Sequence, residues 1–332
     1  MIGVGIIGAG HFGTVHARAL AGLTNARLVA ACRNDVAGIG RFVAEHGGRA
    51  YTDWCDLLDD PSVDAVVIAT PHDLHRDIAI ACLAAGKHVL LEKPMAITIA
   101  ACDAIADAAT MAPGALMIGH VPRYFAPMQA AAEVIASGRI GRPVAGTSAF
   151  IKLWMEGNRQ PWHLSATSGG GVLMTAGIHA LDRLLHLMGG PVESVGALMG
   201  TAFHSQDADD IAFLNLRFAD GRLGQVTSLG YADGAVTAAL QIVGEHGTLV
   251  LDLSGRLQIG QNGFWQDLPC PTDEDPMVAA VRRQWQAFLG AITEGKLPPI
   301  DAQYGRHLVA IIAAARQSSR DRKEILVETT PQ

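Results

Sequence analysis

Apolar residues in the first third of the chain fall into short blocks separated by glycines and amphipathic stretches. Residues 2–7 form an apolar run that ends in glycine, residues 14–21 read as a helix stopped by Gly22, and residues 26–32 form a second apolar strand. A helix over 36–46 ends at Gly47-Gly48, Tyr51 closes a short third strand, and Asp53 stands where it can cap a small helix before Pro61. The run 63–69 is almost continuously apolar, as expected of a strand covered on both faces. Helices over 74–85 and 99–109 then alternate with strands over 88–91 and 115–118. Repeated strand–helix units of this size predict an open, doubly wound parallel sheet.

The pattern changes near residues 120–125. A helix over 126–137, a strand over 143–154, a loop over 154–165 and a helix over 176–188 precede a strand-rich stretch. Its segments are 192–199, 210–218, 222–230, 235–243 and 248–253, with Asp220-Gly221 as a hairpin turn. Such a meander suits a large antiparallel sheet. Helical periodicity returns over 276–293 and 303–316, and a last strand over 324–329 is expected to join an edge. The chain therefore reads as two domains, 1–122 and 123–332, with possible return contacts of the second to the first.

Composition narrows the function classes. A chain of 332 residues is long for one core and comfortable for two. Apolar residues make up 49%, which argues against disorder, and a net charge of -7 without a basic stripe makes nucleic acid an unexpected partner. No charged flank and cleavage pattern surrounds the apolar start, and no apolar run reaches membrane-span length, so a cytoplasmic globular protein without a membrane partner is expected. The cysteines Cys32, Cys55, Cys82, Cys102 and Cys270 are odd in number and irregularly spaced. They read as small buried hydrophobes, and no metal is expected.

The candidate chemistry begins at Gly8-Ala9-Gly10-His11-Phe12-Gly13. This turn follows a strand and opens a helix, the context a dinucleotide fingerprint requires. Gly8 allows the tight turn, Gly10 lets a pyrophosphate approach, and Gly13 lets the helix pack on the sheet. The helix N-terminus then offers amide donors. After the second strand come Arg33 and Asn34, with Asp35 next. Arginine attracts a 2′-phosphate that an acid would repel, so NADP is favoured over NAD, with Asp35 near enough to keep NAD open.

Glu92-Lys93-Pro94 at the end of the fifth strand adds detail. Together with the glycine turn and Thr70-Pro71-His72-Asp73-Leu74-His75, it resembles the glucose–fructose oxidoreductase / inositol dehydrogenase / rhizopine catabolism (Gfo/Idh/MocA) family. The resemblance continues in Gly169-Gly170-Gly171-Val172-Leu173 and Gly177-Ile178-His179-Ala180-Leu181-Asp182, and it covers essentially the whole chain. It implies a Rossmann domain followed by an α/β domain on a large, mostly antiparallel open sheet, whose outer face often builds dimers or tetramers. It also implies oxidation or reduction of sugars, cyclic polyols and their derivatives, with the cofactor across the carboxyl ends of the parallel strands and its nicotinamide facing the second domain.

By that resemblance Lys93 lies near the reacting carbon and His179 serves as the proton acceptor; Thr70, Pro71, His72, His75, Glu92 and Lys93 itself join the cofactor site. Physically, a cation at Lys93 favours negative charge on a substrate oxygen, and an imidazole at His179 can take its proton. Family members commonly carry aspartate four residues before this histidine; here the residue is Thr175. Arg123, Tyr124, Trp162 and His163 complete the expected substrate residues, and Trp154 and Arg159 belong to the same loop region. Two other readings stay open: a dehydrogenase of a non-sugar cyclic hydroxyl compound or hemiacetal from aromatic breakdown, and a non-catalytic dinucleotide-binding regulatory protein.

Overall fold

A computed structural model of the chain describes residues 1–157, 159–252 and 254–329. Residues Met1–Tyr124 with Asp275–Arg306 form one compact unit, and Phe125–Glu274 with the residues from His307 on form the other.

The first unit opens with β1 (Ile2–Ile7), α1 (His11–Leu20), β2 (Ala26–Cys32), α2 (Val36–His46), β3 (Arg49–Tyr51) and α3 (Trp54–Leu58). It continues through β4 (Ala65–Ile68), α4 (His75–Ala84), β5 (His88–Glu92), α5 (Ile99–Met111) and β6 (Leu116–Gly119). The strands pair in the order β3-β2-β1-β4-β5-β6, all parallel. Because they are parallel, every carboxyl end lies along one edge, and the order reverses beside β1, where such sheets bind ligands. The apolar run in β4 is fully buried, as its lack of alternation predicts. Helix α1 begins at His11, earlier than the periodicity suggests, because the glycine turn leads directly into it. Asp53 caps α3 by accepting from the Cys55 amide at 2.9 Å. Cys32, Cys82 and Cys102 are buried as expected, whereas Cys55 is exposed on α3 and Cys270 is half-buried.

The second unit contains α6 (Ala126–Ala136), β7 (Pro143–Leu153), α7 (Ile178–Met188), β8 (Val192–Gly200), β9 (Ile211–Phe218) and β10 (Leu223–Tyr231). It adds β11 (Thr237–Gly244), β12 (Gly247–Asp252), β13 (Leu257–Gln261) and β14 (Phe264–Leu268). Next in the chain are α8 (Pro276–Glu294), α9 (Ala302–Asp321) and β15 (Ile325–Leu326). The nine-stranded sheet runs β14-β13-β12-β11-β7-β10-β9-β8-β15. Within it, only the β7–β10 pair is parallel among the described strands. Along β9, Ala212, Leu214, Leu216 and Phe218 are buried while Phe213, Asn215 and Arg217 are exposed, the alternation of a sheet covered on one face.

The late strand joins the edge at β8, as expected. The β13–β14 hairpin lies outside the expected strands. Its turn is Asn262-Gly263, with φ of 53° and 81°, the pair of positive dihedrals that a tight hairpin of this hand requires. The expected strand over 248–253 ends at Asp252, and Leu253 lies outside the described residues, as does Asn158 in the expected loop. No helix among the described residues is long and apolar enough to cross a membrane.

Helix α8 belongs with the first unit although it follows the second in sequence. It packs along α1, where Arg18 pairs with Asp275 at 2.7 Å and the Trp285 indole donates to His16 at 3.0 Å.

Candidate functional site

The glycine turn has the geometry of a phosphate cradle. Gly8 has φ +98°, and a Cβ there would lie 2.5 Å from the Ala69 carbonyl oxygen. Gly13 abuts the Gly8 carbonyl, where a Cβ would lie 2.6 Å away, so α1 seats tightly on β1. Gly10 caps α1 without a side-chain bond, and a Cβ there would meet nothing within 4 Å. Open space therefore sits in front of the helix amides, which fits a dinucleotide pyrophosphate. His11 is exposed and Phe12 half-buried at the same helix start.

Thr70 and Pro71 follow β4 on the same sheet edge, and the buried His72 ring stands 5.7 Å from that of His75. His75 is fully buried. Its ring nitrogens face the carbonyls of Pro94 at 2.9 Å and Thr70 at 3.0 Å. These oxygens favour the protonated ring, but burial outweighs them and holds its pKa below the usual histidine range. His75 thus braces the loops after β4 and β5 from inside the protein.

Lys93 follows β5, half-buried, with a cis peptide bond to Pro94. The preceding Glu92 is held by residues that sequence reading missed. An indole N–H only donates, so Trp285 fixes His16 Nδ1 as the acceptor and leaves the proton on Nε2. That Nε2 donates to Glu92 Oε1 at 3.1 Å. Across the sheet, a Cβ on Gly119 would crowd the same oxygen at 2.6 Å, so glycine makes the seat for Glu92. Glu92 thereby supports the strand end that carries Lys93. His16, a polar residue on the buried side of α1, was a visible signal, but its partners are 76 and 269 residues away. Arg123 lies over the Tyr304 ring at 4.2 Å, and the buried Tyr124 accepts from Arg283 through its carbonyl at 3.1 Å.

In the second unit, a π-helical turn over Leu173–Gly177 leads into α7. It places Thr175 in the interior and His179 in the first turn of the helix. Asp209, another missed residue, fixes the start of this segment. Its carboxylate accepts from the Leu173 amide at 2.7 Å and its carbonyl from the Val172 amide at 2.8 Å. Burial raises the Asp209 pKa against the pull of that hydrogen bond.

The His179 ring stands edge-on to Phe150, centroids 6.4 Å apart. Trp162 and His163 stack at 3.7 Å in the turn before this segment, and His163 Nδ1 contacts the Gln160 backbone. Trp154, expected to line the loop, is instead a core residue beside Val172 and Ala176, its indole donating to Gln206 at 3.0 Å.

Comparison with known proteins follows the same two-part division. Residues 2–120 match the model of the GFO_IDH_MocA oxidoreductase family with its NAD-binding Rossmann fold, and residues 128–250 match the GFO/IDH/MocA C-terminal domain. An inositol 2-dehydrogenase 2 of Paenarthrobacter aurescens is 32% identical over 96% of this chain and 96% of its own length. A 1,5-anhydro-D-fructose reductase of Ensifer adhaerens is 32% identical, but the match spans 63% of each chain. A structure of levoglucosan dehydrogenase with NADH superimposes with a TM-score of 0.91 at 24% identity, over 99% of this chain and 100% of that one.

The preference for NADP expected from Arg33 and Asn34 is corrected by these comparisons. The matched levoglucosan dehydrogenase structures hold NADH, and the matched GenD2 from gentamicin A biosynthesis holds NAD. The local geometry gives a physical reason. Arg33 sits 3.5 Å from the Asp35 carboxylate, so its charge is partly balanced, and the acid that repels a 2′-phosphate stands beside it.

Proposed function

The chain belongs to the Gfo/Idh/MocA family and is an NAD(P)-dependent oxidoreductase, and from this premise we propose that it moves hydride between NAD and a hydroxyl-bearing carbon of a sugar, cyclic polyol or derivative. One observation carries the reading: the parallel sheet gathers the glycine cradle after β1, Arg33–Asp35 after β2, Thr70-Pro71 after β4 and Lys93 after β5 along one edge. The names of the matched inositol and levoglucosan dehydrogenases support the substrate class.

Bound NAD supplies the hydride acceptor. In the proposed division of labour, Lys93 Nζ donates a hydrogen bond to the substrate oxygen and favours its developing negative charge. His179 accepts the hydroxyl proton as the carbon–hydrogen bond breaks, its electron pair leaving with the hydride and a carbonyl forming. In reduction the same imidazole returns the proton. Thr175, four residues before His179, offers a hydroxyl where an anionic partner would otherwise stand, so proton acceptance rests on the imidazole. A specifically deuterated polyol panel tests the reading: label should appear on the nicotinamide of NADH. Matched titrations should show NAD binding more tightly than NADP, with Asp35→Ala narrowing the gap several-fold. Absence of label transfer from every panel member would remove the assignment.

A homodimer or homotetramer is proposed through the face of the nine-stranded sheet opposite α7. Leu198, 73% exposed, pairs across the sheet with Phe213, 41% exposed, and the row continues through Thr227, Ala149 and Ala239. A row of mostly apolar side chains lined up in this way is suited to a second copy. Light scattering should report at least a dimer, and Leu198→Glu should lower the mass; a monomer at all working concentrations contradicts the assembly.

A further inference from the structure

We infer that the second unit carries a carboxylate-binding site beside His179, formed by Arg183 and Lys152, and that the substrate is an acid rather than a neutral polyol. The inference rests on the hydride-transfer reading, because it takes the surroundings of His179 as the substrate site.

The geometry begins with spacing. His179 and Arg183 are four residues apart on α7, hence one turn apart on one helix face. Phe150 and Lys152 are two apart on β7, hence on one sheet face. It is the face that α7 covers, since a Cβ on Gly146, in the same alternation, would meet Leu184 at 2.8 Å. The elements converge on the Phe150 ring. The Arg183 guanidinium carbon lies 5.7 Å from its centroid, Lys152 Nζ 6.0 Å, and the His179 ring 6.4 Å.

The charges here do not balance. Among the described residues, Arg183 makes one hydrogen bond, to the Ala149 carbonyl at 3.1 Å, and its Nε is buried without a partner. Asp182 attracts Arg183 only through space. Burial lowers the Arg183 pKa to about 10, which still leaves it charged at neutral pH. Lys152 pairs with Glu156 at 2.6 Å, and Arg159 approaches the same carboxylate at 3.7 Å. Thus Lys152 and Arg159 share one carboxylate, while Arg183 has none within ion-pair distance among the described residues.

Holding a guanidinium away from water without an anion bonded to it is unfavourable. Local compromises of this kind are expected where function needs them. A carboxylate matches the planar fork of arginine with two parallel hydrogen bonds. A hydroxymethyl group at the same place would leave the charge unmatched.

The test uses the protein saturated with NADH, which prevents oxidative turnover during titration. D-Glucuronate, D-galacturonate and quinate are titrated by calorimetry beside D-glucose, D-galactose and myo-inositol. At least one acid should bind roughly 10-fold or more tightly than its neutral counterpart, the scale of a charge-assisted hydrogen bond in a partly buried site. Arg183→Met should abolish that advantage and Arg183→Lys should restore part of it. Glu156→Gln, which frees Lys152 from its internal partner, should strengthen acid binding, an effect that loss of fold does not imitate. Equal or weaker binding of every acid, or an advantage unchanged in Arg183→Met, overturns the site. Acid binding without hydride transfer to NAD from any panel member overturns the functional reading and leaves the site standing. Hydride transfer from neutral polyols with no acid preference does the reverse.

Discussion

Replacement of His179 by alanine should lower kcat at neutral pH by roughly 10²- to 10⁴-fold, the range of a positioned general base. The loss should shrink as pH rises, because solvent base becomes abundant enough to take the hydroxyl proton in its place. NAD affinity should stay near that of the unaltered protein, since His179 is not assigned to the dinucleotide cradle. The measurement is kcat from pH 6 to 10 on a substrate with a deuterium isotope effect, so that hydride transfer limits the rate. Turnover close to wild type in that regime would pass the proton to another group. His179 is a sensitive position because its helix start is held by Asp209 through the Leu173 and Val172 amides. Alanine leaves that support intact, so a collapse of activity with an unchanged melting temperature reports chemistry rather than folding.

Lys93→Met should reduce kcat by roughly 10²- to 10³-fold, the cost of removing one donor aimed at a developing oxyanion. Methionine approximates the apolar length of lysine and removes only the charge and its hydrogen bonds. Both directions of reaction should suffer, because the same oxygen carries the partial charge whether alcohol or carbonyl is the starting point. Raising the pH should not rescue this variant, in contrast to His179→Ala, because hydroxide does not replace a cation. That contrast separates the two proposed roles more sharply than either magnitude. NADH fluorescence titration should show cofactor binding retained, as the glycine cradle and the Glu92–His16 bond are untouched. Rescue of Lys93→Met at high pH would contradict the assigned role.

Much of the first unit was legible in the chain because its physics is local. The continuous apolar run of β4, the glycine stops and the Asp53 cap each act within a few residues. The same holds for the glycine cradle, whose three positions lie within one turn. The second sheet was legible in its alternation, yet the β13–β14 hairpin was overlooked although Asn262-Gly263 is a strong local turn signal. Its strand β14 is largely exposed, and its exposed Phe264 and Trp265 blur the in/out pattern.

The cofactor preference failed for a different reason: Arg33 was given more weight than its neighbour Asp35, whereas the distance between the two decides how much of that charge a phosphate would feel. Loop aromatics were similarly ambiguous, since Trp154 differs from Trp162 only in what the fold packs against it.

The sequence by itself determined the two-part architecture, the parallel character of its first sheet and the places of Lys93 after a strand and His179 at a helix start, because periodicity and turn chemistry are encoded in neighbouring residues. Tertiary structure alone decided which distant groups meet. It brought Trp285 to His16 and so to Glu92, seated Asp209 under the start of α7, and set Arg183 and Lys152 against one ring. Apart from Lys152 and Phe150, neighbours on one strand, those contacts join residues tens to hundreds of positions apart, and their partners are chosen by the packing of whole helices and strands, which no local pattern specifies.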